Sequence, residues 1–152
     1  TTGGSAGGHL ASTVSTVFDK GQPAADDPIE RQSSRPNFSI LFYPVITMQQ
    51  GVTHAGSRRN LVGPRATTQL VQRYSNEDRV GKATPPTFML HAADDRAVPV
   101  ENSLRYYRRL VSHGVPVQLL LFESGGHGPG AFKTNPSWLP SFDAWLKKRG
   151  CL

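Results

Sequence analysis

The chain opens with Thr1-Thr2-Gly3-Gly4-Ser5-Ala6-Gly7-Gly8-His9-Leu10, which contains the pattern Gly-x-Ser-x-Gly and runs directly into a helical pattern. This combination predicts a nucleophile elbow, a sharp turn between a strand and a helix that exposes a reactive serine hydroxyl. Gly3 and Gly7 are expected to leave room where a Cβ atom would clash. The Ala6 N–H, at the start of the helix, would face a tetrahedral oxyanion. Gly and Ser are also common in linkers, so the rest of the chain must supply the context.

Length and composition favour one soluble globular domain. The chain has 152 residues, of which 37% are hydrophobic and 18% are charged. No apolar run approaches the roughly 18 residues that a membrane-spanning helix needs, so no membrane partner is expected. The single cysteine, Cys151, rules out an internal disulfide and a metal-binding cysteine pair, and no metal site is predicted.

The net charge is +6, from 17 Lys and Arg residues against 11 Asp and Glu residues, which raises the question of a nucleic-acid partner. The basic residues are scattered along the chain, and many lie on predicted helices whose other faces are apolar. They are therefore interpreted as solvated surface charges, and no nucleic-acid partner is predicted. The oligomeric state is left open.

Hydrophobic periodicity predicts an alternation of helices and strands. Helices are expected at residues 6–20, 67–74, 101–113 and about 137–149, and strands at 38–43, 87–92 and 117–122. This order is typical of an α/β fold with parallel strands joined by right-handed crossovers. Residues 45–63 are expected to be irregular. Because only Thr1 and Thr2 precede Gly3, the strand before the elbow is expected to be missing, and strand 38–43 to have an unpaired edge.

Polar residues with catalytic chemistry follow the predicted strands. Asp94 and Asp95 come after the second strand, and His127 lies in a glycine-rich loop after the third. With Ser5 first, the chain order is Ser, Asp, His, which is the order found in α/β-hydrolases. Ser5 would attack, His127 would carry the proton, and one aspartate would orient His127. Spacing alone does not choose between Asp94 and Asp95.

Each of these residues also has a simpler interpretation. Ser5 is a residue type that often caps helices, Asp95 one that often forms turns, and His127 fits an ordinary loop histidine. Asp95 and His127 lie at the carboxyl ends of predicted strands, as expected of an active site, and the three residues follow the Ser, Asp, His order of α/β-hydrolases, which favours the catalytic interpretation. The remaining histidines are interpreted as structural or surface residues: His9, His54, His91 and His113.

The segment from Gly3 to Ala11 resembles the GxSAGGHLA elbow of α/β-hydrolase esterases related to bacterial acetyl xylan esterases and feruloyl esterases, and the likeness extends over nearly the whole chain. The family's His-x-x-x-Asp-x-x-Val-Pro segment matches residues 91–99. This match implies that Asp95 is the triad acid and leaves Asp94 as the fallback. The resemblance thus implies a triad of Ser5, Asp95 and His127, with the Ala6 N–H as one oxyanion donor and no metal or organic cofactor.

The resemblance also implies that residues 1–152 form a single partial domain, the C-terminal half of an α/β-hydrolase whose N-terminal strands are missing. The second oxyanion donor would belong to the missing half. The isolated chain is therefore expected to be weakly stable and inactive, and the complete protein to be an esterase. A signal peptide would also lie upstream, so the compartment is left open.

The implied activity is that of a serine carboxylic-ester hydrolase on small acyl esters, such as acetyl groups of xylan, through an acyl-serine intermediate. Serine peptidases of the prolyl-oligopeptidase type and arylformamidases have similar elbows, and a non-catalytic fragment or binding module would keep the fold without the activity. The weak candidates for substrate contact are His54, Arg58 and Asn60. The favoured alternative is that Arg58 and Asn60 bond to the backbone of their own loop.

Overall fold

A computed structural model describes residues 1–152, apart from the side chain of Ala131. The strands are β1 (Thr2–Gly4), β2 (Ser39–Phe42), β3 (Thr87–Ala92) and β4 (Val117–Phe122). The helices are α1 (Ala6–Thr16), α2 (Ala55–Val62), α3 (Thr68–Tyr74), α4 (Glu101–Ser112), α5 (Gly130–Thr134) and α6 (Leu139–Lys147). Short 3-10 turns lie at Asn76–Arg79 and Pro136–Trp138.

The four strands form one parallel sheet in the order β1-β2-β3-β4. The predicted α/β architecture with parallel strands and flanking helices is therefore confirmed. Because all four strands run the same way, the residues that follow them meet at the carboxyl ends of the strands, along one border of the sheet. That border receives Ser5 after β1, Tyr43 after β2, Asp95 after β3 and His127 after β4.

Helices cover both faces of the sheet, and the alternation of side chains along the strands decides which residue meets which helix. Leu41 and Met89 pack with the buried Tyr106 of α4 on one face. Phe88 packs on the other face with Trp145 of α6, at a ring-centroid distance of 5.6 Å. All six residues of β3 are buried, as expected for a central strand of a parallel sheet covered on both sides.

The expectation that the elbow lacks its strand was wrong. Residues Thr2–Gly4 form β1, which pairs with β2 along its length, with Gly3 opposite Leu41. β2 therefore has neighbours on both sides, and the predicted unpaired edge at residues 38–43 is not present. A strand of three residues is too short to leave a periodic signal in the sequence.

Helix α1 is present, but it buries a different face from the one that its apolar residues indicate. The residues whose spacing predicted the helix include three exposed ones: Leu10, Val14 and Val17. The buried face is small and polar: Gly8, His9, Ala11, Ser12 and Ser15. Small residues allow the helix to approach the sheet closely. The helix ends at Thr16 rather than near Lys20, and Val17 already has a non-helical ψ of 85°.

The expectation that residues 45–63 are irregular was also wrong, because they contain α2. The His54 side chain caps this helix, its Nδ1 accepting a hydrogen bond from the Ser57 N–H at 3.2 Å. Gly63 ends the helix with a φ of 82°. Histidine is an uncommon N-cap and Gly56 weakens the helical signal, so neither sequence rule indicates this helix.

The remaining elements agree with the sequence to within a few residues. Helix α4 ends before Gly114, whose φ of 69° is typical of the left-handed residue after a helix. The predicted last helix is divided into the turn at Pro136–Trp138 and α6, and the preceding α5 was not predicted. Within the residues that the structure describes, no helix is long and apolar enough to span a bilayer.

Candidate active site

The elbow holds Ser5 in a backbone conformation that L-residues rarely adopt, with φ 53° and ψ −125°. Such a conformation costs on the order of 1–3 kcal/mol and persists only where neighbouring contacts enforce it. The Ser5 N–H donates to the Phe42 carbonyl at 3.1 Å. The Ser5 carbonyl accepts from the N–H groups of Gly8 and Val45, both at 3.0 Å. Strand β2 and the segment after it thus fix the turn.

Two glycines of the elbow are required by close contacts, but they are not the predicted pair. A Cβ atom on Gly3 would lie deep inside van der Waals contact with the Gly7 carbonyl, as expected. A Cβ atom on Gly8 would lie 2.6 Å from Pro44 Cβ. A Cβ atom on Gly7 would meet no described atom within 4 Å beyond its chain neighbours and the adjacent backbone of its own helix. The expectation that Gly7 leaves needed room was wrong, and Gly8 has that role.

This difference predicts opposite stability effects for two substitutions in one motif. Gly3→Ala is expected to lower the free energy of unfolding by about 1–3 kcal/mol, because its Cβ meets backbone atoms that cannot move aside. Gly7→Ala, the matched control inside α1, is expected to raise it by about 0.5–1 kcal/mol, because alanine loses less entropy in a helix. Urea unfolding followed by circular dichroism measures both. Equal destabilisation by the two variants would contradict this account of the elbow.

Ser5, His127 and Asp95 form a continuous series of hydrogen bonds. The Ser5 Oγ lies 2.8 Å from His127 Nε2, and His127 Nδ1 lies 2.8 Å from Asp95 Oδ2. A carboxylate can only accept, so Nδ1 carries the proton. In the neutral ring Nε2 then has a free lone pair, which accepts the hydrogen bond from the Ser5 hydroxyl. This is the arrangement in which an imidazole can remove the serine proton.

Asp95 is 6% exposed, and its carboxylate is surrounded by donors. Its Oδ1 accepts from the N–H groups of Ala97 and Val98, both at 2.9 Å. Burial alone would raise the pKa of Asp95, but the hydrogen bonds from His127 and from the two backbone N–H groups outweigh it and hold the pKa below its usual value. Asp95 is therefore ionised at neutral pH, as a partner of an imidazolium must be.

Asp94 lies beside Asp95 but has a different contact. Its Oδ1 accepts from the Gly126 N–H at 2.8 Å. Hydrogen bonds from the backbone of Gly126 and Gly125 lower the pKa of Asp94, which is exposed. Asp94 thus anchors the loop that carries His127, whereas Asp95 contacts the imidazole itself.

Tyr43 is a residue of this site that the sequence analysis missed. It follows β2, has a positive φ of 37°, and packs edge-on against the His127 imidazole with ring centroids 5.0 Å apart. Phe132 stacks on the Tyr43 ring, at a centroid distance of 5.7 Å and an interplanar angle of 5°. Burial raises the pKa of Tyr43. An aromatic residue directly after a predicted strand was the available signal.

The weak substrate-contact candidates divide into two groups. The Arg58 Nε donates to the Met48 carbonyl at 3.0 Å, and His54 caps α2, so both hold the loop together. Asn60 is exposed and lines a cavity of about 430 Å³ that opens between α1 and α2. The wall of this cavity includes Ala6, the residue after Ser5. The other lining residues are mostly apolar and include Leu10, Met48, Leu61 and Tyr74.

Among the residues that the structure describes, no three His, Cys, Asp or Glu side chains are grouped so that they could hold a metal ion.

Comparison with known sequences places the chain in a family. The sequence model of the prolyl oligopeptidase family matches residues 33–150. The chain belongs to this family. Asp95 and His127 lie inside the matched segment of the prolyl oligopeptidase family, whereas Ser5 precedes it, so the assignment of Ser5 depends on the elbow and on its contact with His127.

Two curated relatives are similar in sequence to this chain. An acetylxylan esterase of Xylanibacter ruminicola is 40% identical over 152 residues, covering 95% of this chain and 29% of the esterase. An endo-1,4-beta-xylanase B of Butyrivibrio fibrisolvens is 36% identical over 126 residues, covering 83% of this chain and 20% of the xylanase. The resemblance to acetyl xylan esterases is confirmed.

Solved structures confirm the α/β-hydrolase fold of this family member. An acetyl ester-xyloside bifunctional hydrolase from Caldicellulosiruptor lactoaceticus matches with a TM-score of 0.91 and 42% identity, over 99% of this chain and 56% of that protein. A carboxylesterase from Lactobacillus plantarum matches with a TM-score of 0.71 and 30% identity, over 99% of this chain and 58% of that protein. The chain thus spans just over half the length of these solved relatives.

Proposed function

We propose that this chain carries the catalytic triad of a serine carboxylic-ester hydrolase, with Ser5 as nucleophile, His127 as general base and acid, and Asp95 as the residue that orients His127. The observation that carries the proposal is the hydrogen-bonded series at 2.8 Å and 2.8 Å that joins the three side chains. The strained conformation of Ser5 supports it, because such strain in a non-glycine residue is concentrated at active sites.

In the first half of the proposed reaction, His127 Nε2 removes the Ser5 proton while Oγ attacks the ester carbonyl carbon. The carbonyl electrons move to the oxygen, which accepts a hydrogen bond from the Ala6 N–H. This N–H has no partner within α1, because the first N–H groups of a helix have none. The imidazolium is stabilised by the ionised Asp95 carboxylate. The intermediate collapses, the bond to the alcohol oxygen breaks, and His127 protonates the departing alcohol.

In the second half, a water molecule takes the place of the alcohol. His127 Nε2 removes a proton from the water as its oxygen attacks the acyl-serine carbonyl. The second tetrahedral intermediate collapses, the bond to Ser5 Oγ breaks, and His127 returns the proton to Oγ. The products are one alcohol and one carboxylic acid, and the chain's own side chains return to their starting protonation states.

We propose small acyl esters as the substrates, including acetyl groups on plant polysaccharide such as xylan. The similarity to the acetylxylan esterase of Xylanibacter ruminicola and to the acetyl ester-xyloside hydrolase supports this choice. The apolar cavity beside Ala6 is the candidate binding pocket, with the exposed Asn60 on its wall as a polar contact. His54 and Arg58 would then act through the loop that they stabilise.

A peptidase is the second candidate, because the matching family is named for prolyl oligopeptidase. An arylformamidase would use the same triad on an amide bond, and a binding module would keep the fold without catalysis. For the last alternative, Ser5 would be present but unreactive towards a fluorophosphonate probe.

The choice among these substrates is testable with the full-length protein. Release of acetate from acetylated xylan and hydrolysis of p-nitrophenyl acetate are expected to exceed hydrolysis of a peptide anilide and of an aryl formamide, by at least tenfold in kcat/KM. The physical reason is that esters have the better leaving group and that the pocket is small and apolar. A higher kcat/KM for the anilide than for both esters would replace the esterase by a peptidase.

We also propose that the 152-residue chain is inactive by itself. The chain spans 56% of the solved hydrolase that it matches, and we propose that a second oxyanion donor lies outside residues 1–152. Loss of one such donor typically costs about 10²–10³ in turnover.

A further inference from the structure

His91 is a buried histidine that contacts the acid of the proposed triad. It is the fifth residue of β3, is fully buried, and lies four residues before Asp95. Its Nε2 is 3.2 Å from Asp95 Oδ2, the same oxygen that contacts His127. Its Nδ1 is 2.8 Å from the Ser103 Oγ on α4, which is also fully buried.

The contacts of His91 determine which of its nitrogens carries the proton. Nε2 is also 3.0 Å from the Val98 carbonyl oxygen, and both the carbonyl and the Asp95 carboxylate can only accept. Nε2 therefore carries a proton. Burial lowers the pKa of His91 more than its hydrogen bonds to Val98 and Asp95 raise it, so the ring is neutral. Nδ1 is then unprotonated and accepts the hydroxyl hydrogen of Ser103.

We propose that His91 is a positioning residue that fixes the carboxylate of Asp95 for His127, and that Ser103 fixes His91. The hydrogen-bonded series then has five side chains, in the order Ser103, His91, Asp95, His127 and Ser5. This inference rests on the proposed function, and it adds two residues to which the sequence analysis gave only a structural interpretation or none.

The physical effect comes from the number of donors on Asp95. With His91 in place, Oδ2 accepts from His127 Nδ1 and also shares the single His91 Nε2 proton with the Val98 carbonyl, which lies 3.0 Å from Nε2 against 3.2 Å for Oδ2. Oδ1 accepts from two backbone N–H groups. All four donors hold the carboxylate in one orientation and in its ionised form. Without the His91 donor, Oδ2 keeps His127 alone. The carboxylate then gains freedom to turn, and the His127 ring loses its fixed position over Ser5.

Three variants separate this role from simple packing. His91→Asn keeps a group that accepts from Ser103 but is too short to reach Asp95. In the full-length protein, its kcat on p-nitrophenyl acetate is expected to fall by about tenfold to 100-fold with little change in KM. His91→Gln keeps an N–H donor near the position of Nε2 and is expected to restore kcat to within about threefold of the wild type. Ser103→Ala, which leaves His91 in place but unanchored, is expected to lower kcat by less than His91→Asn.

The kinetic results are read together with the folded fraction of each variant, measured by thermal unfolding. If His91 only packs the core, His91→Asn and His91→Gln will both lose stability while their folded molecules keep the wild-type kcat. That result would overturn the proposal.

Nuclear magnetic resonance of ¹⁵N-histidine-labelled protein tests the contact without any substrate. Long-range ¹H–¹⁵N spectra are expected to show a neutral His91 ring with its proton on Nε2. The resonance of the His127 Nδ1 proton is expected to move in His91→Asn and to return towards its original position in His91→Gln. A proton on His91 Nδ1 alone, or an unchanged His127 resonance in His91→Asn, would overturn the inference. If the full-length wild-type protein hydrolyses no ester, the proposed function fails, and these spectra still decide whether His91 positions Asp95.

Discussion

Replacement of Ser5 by alanine is expected to reduce kcat on p-nitrophenyl acetate by about 10⁶-fold in the full-length protein, because no other group can form the acyl intermediate. The strained elbow places Oγ 2.8 Å from His127 Nε2, which is the geometry that the proposed nucleophile requires. Removal of Oγ leaves the Ala6 N–H and the binding pocket in place, so KM is expected to change far less than kcat. Steady-state kinetics measure both constants.

A fluorophosphonate probe provides the second measurement, since it labels a serine only when the serine is activated. The wild-type protein is expected to be labelled at Ser5, and Ser5→Ala to remain unlabelled. Ser112→Ala is the matched control, because Ser112 is an exposed serine of α4 whose Oγ bonds only to the backbone carbonyl of Arg109 and its neighbour His113. Labelling that persists in Ser5→Ala, or a loss of kcat smaller than tenfold, would refute the assignment of the nucleophile.

Replacement of Asp95 by asparagine is expected to reduce kcat by about 10⁴-fold. An amide can turn its N–H₂ group towards His127 Nδ1, which forces the ring proton onto Nε2. Nε2 can then no longer accept the proton of Ser5. The volume of the side chain hardly changes, so the loss reports on the protonation pattern and not on packing. The kcat of Asp95→Asn and of the wild-type protein is measured as a function of pH, over the range in which both proteins stay folded.

Asp94→Asn is the matched control for this prediction. Its amide oxygen can still accept the hydrogen bond from the Gly126 N–H, which Asp94 Oδ1 accepts at 2.8 Å. The loop that carries His127 is therefore kept, and kcat is expected to fall by less than about tenfold. A larger loss in Asp94→Asn than in Asp95→Asn would reverse the assignment of the triad acid.

Much of the fold was predictable because its signals are local. Strands β2, β3 and β4 are short, mostly apolar runs, of which β3 is fully buried and β4 only half-buried. Helix α4 is amphipathic, with a glycine after its end. Strand β1 was missed because its stability comes from another part of the chain: it has three residues and exists through its pairing with β2. Helix α2 was missed for a different reason, because it begins at a histidine cap, which the capping rules do not indicate.

Helix α1 was predicted from the sequence, but the face that it buries was not. Its apolar spacing predicted a helix, but the exposed Leu10 and the buried Gly8 reverse the face that this spacing indicates. Close approach to the sheet selects small residues, and hydrophobicity carries no information about how near two elements lie. For the same reason the motif indicated Gly7 as the second position where a Cβ atom would clash. In the structure that position is Gly8, which packs against Pro44.

The sequence by itself determined the α/β architecture and the candidates Ser5, Asp95 and His127. The succession of helices and strands along the chain and the residue types of the motifs are both local features of the sequence. Only the tertiary structure decided which groups meet. Tyr43 contacts His127 from the residue after β2, and His91 contacts Asp95 from within β3. Asp94 contacts the backbone of a loop instead of the imidazole. The contacts of Tyr43 and Asp94 join residues that are far apart in sequence and meet only at the carboxyl ends of the parallel strands. His91 and Asp95 are four residues apart, but the direction of the two side chains and the contact of His91 with Ser103 come from the packing of β3 against α4.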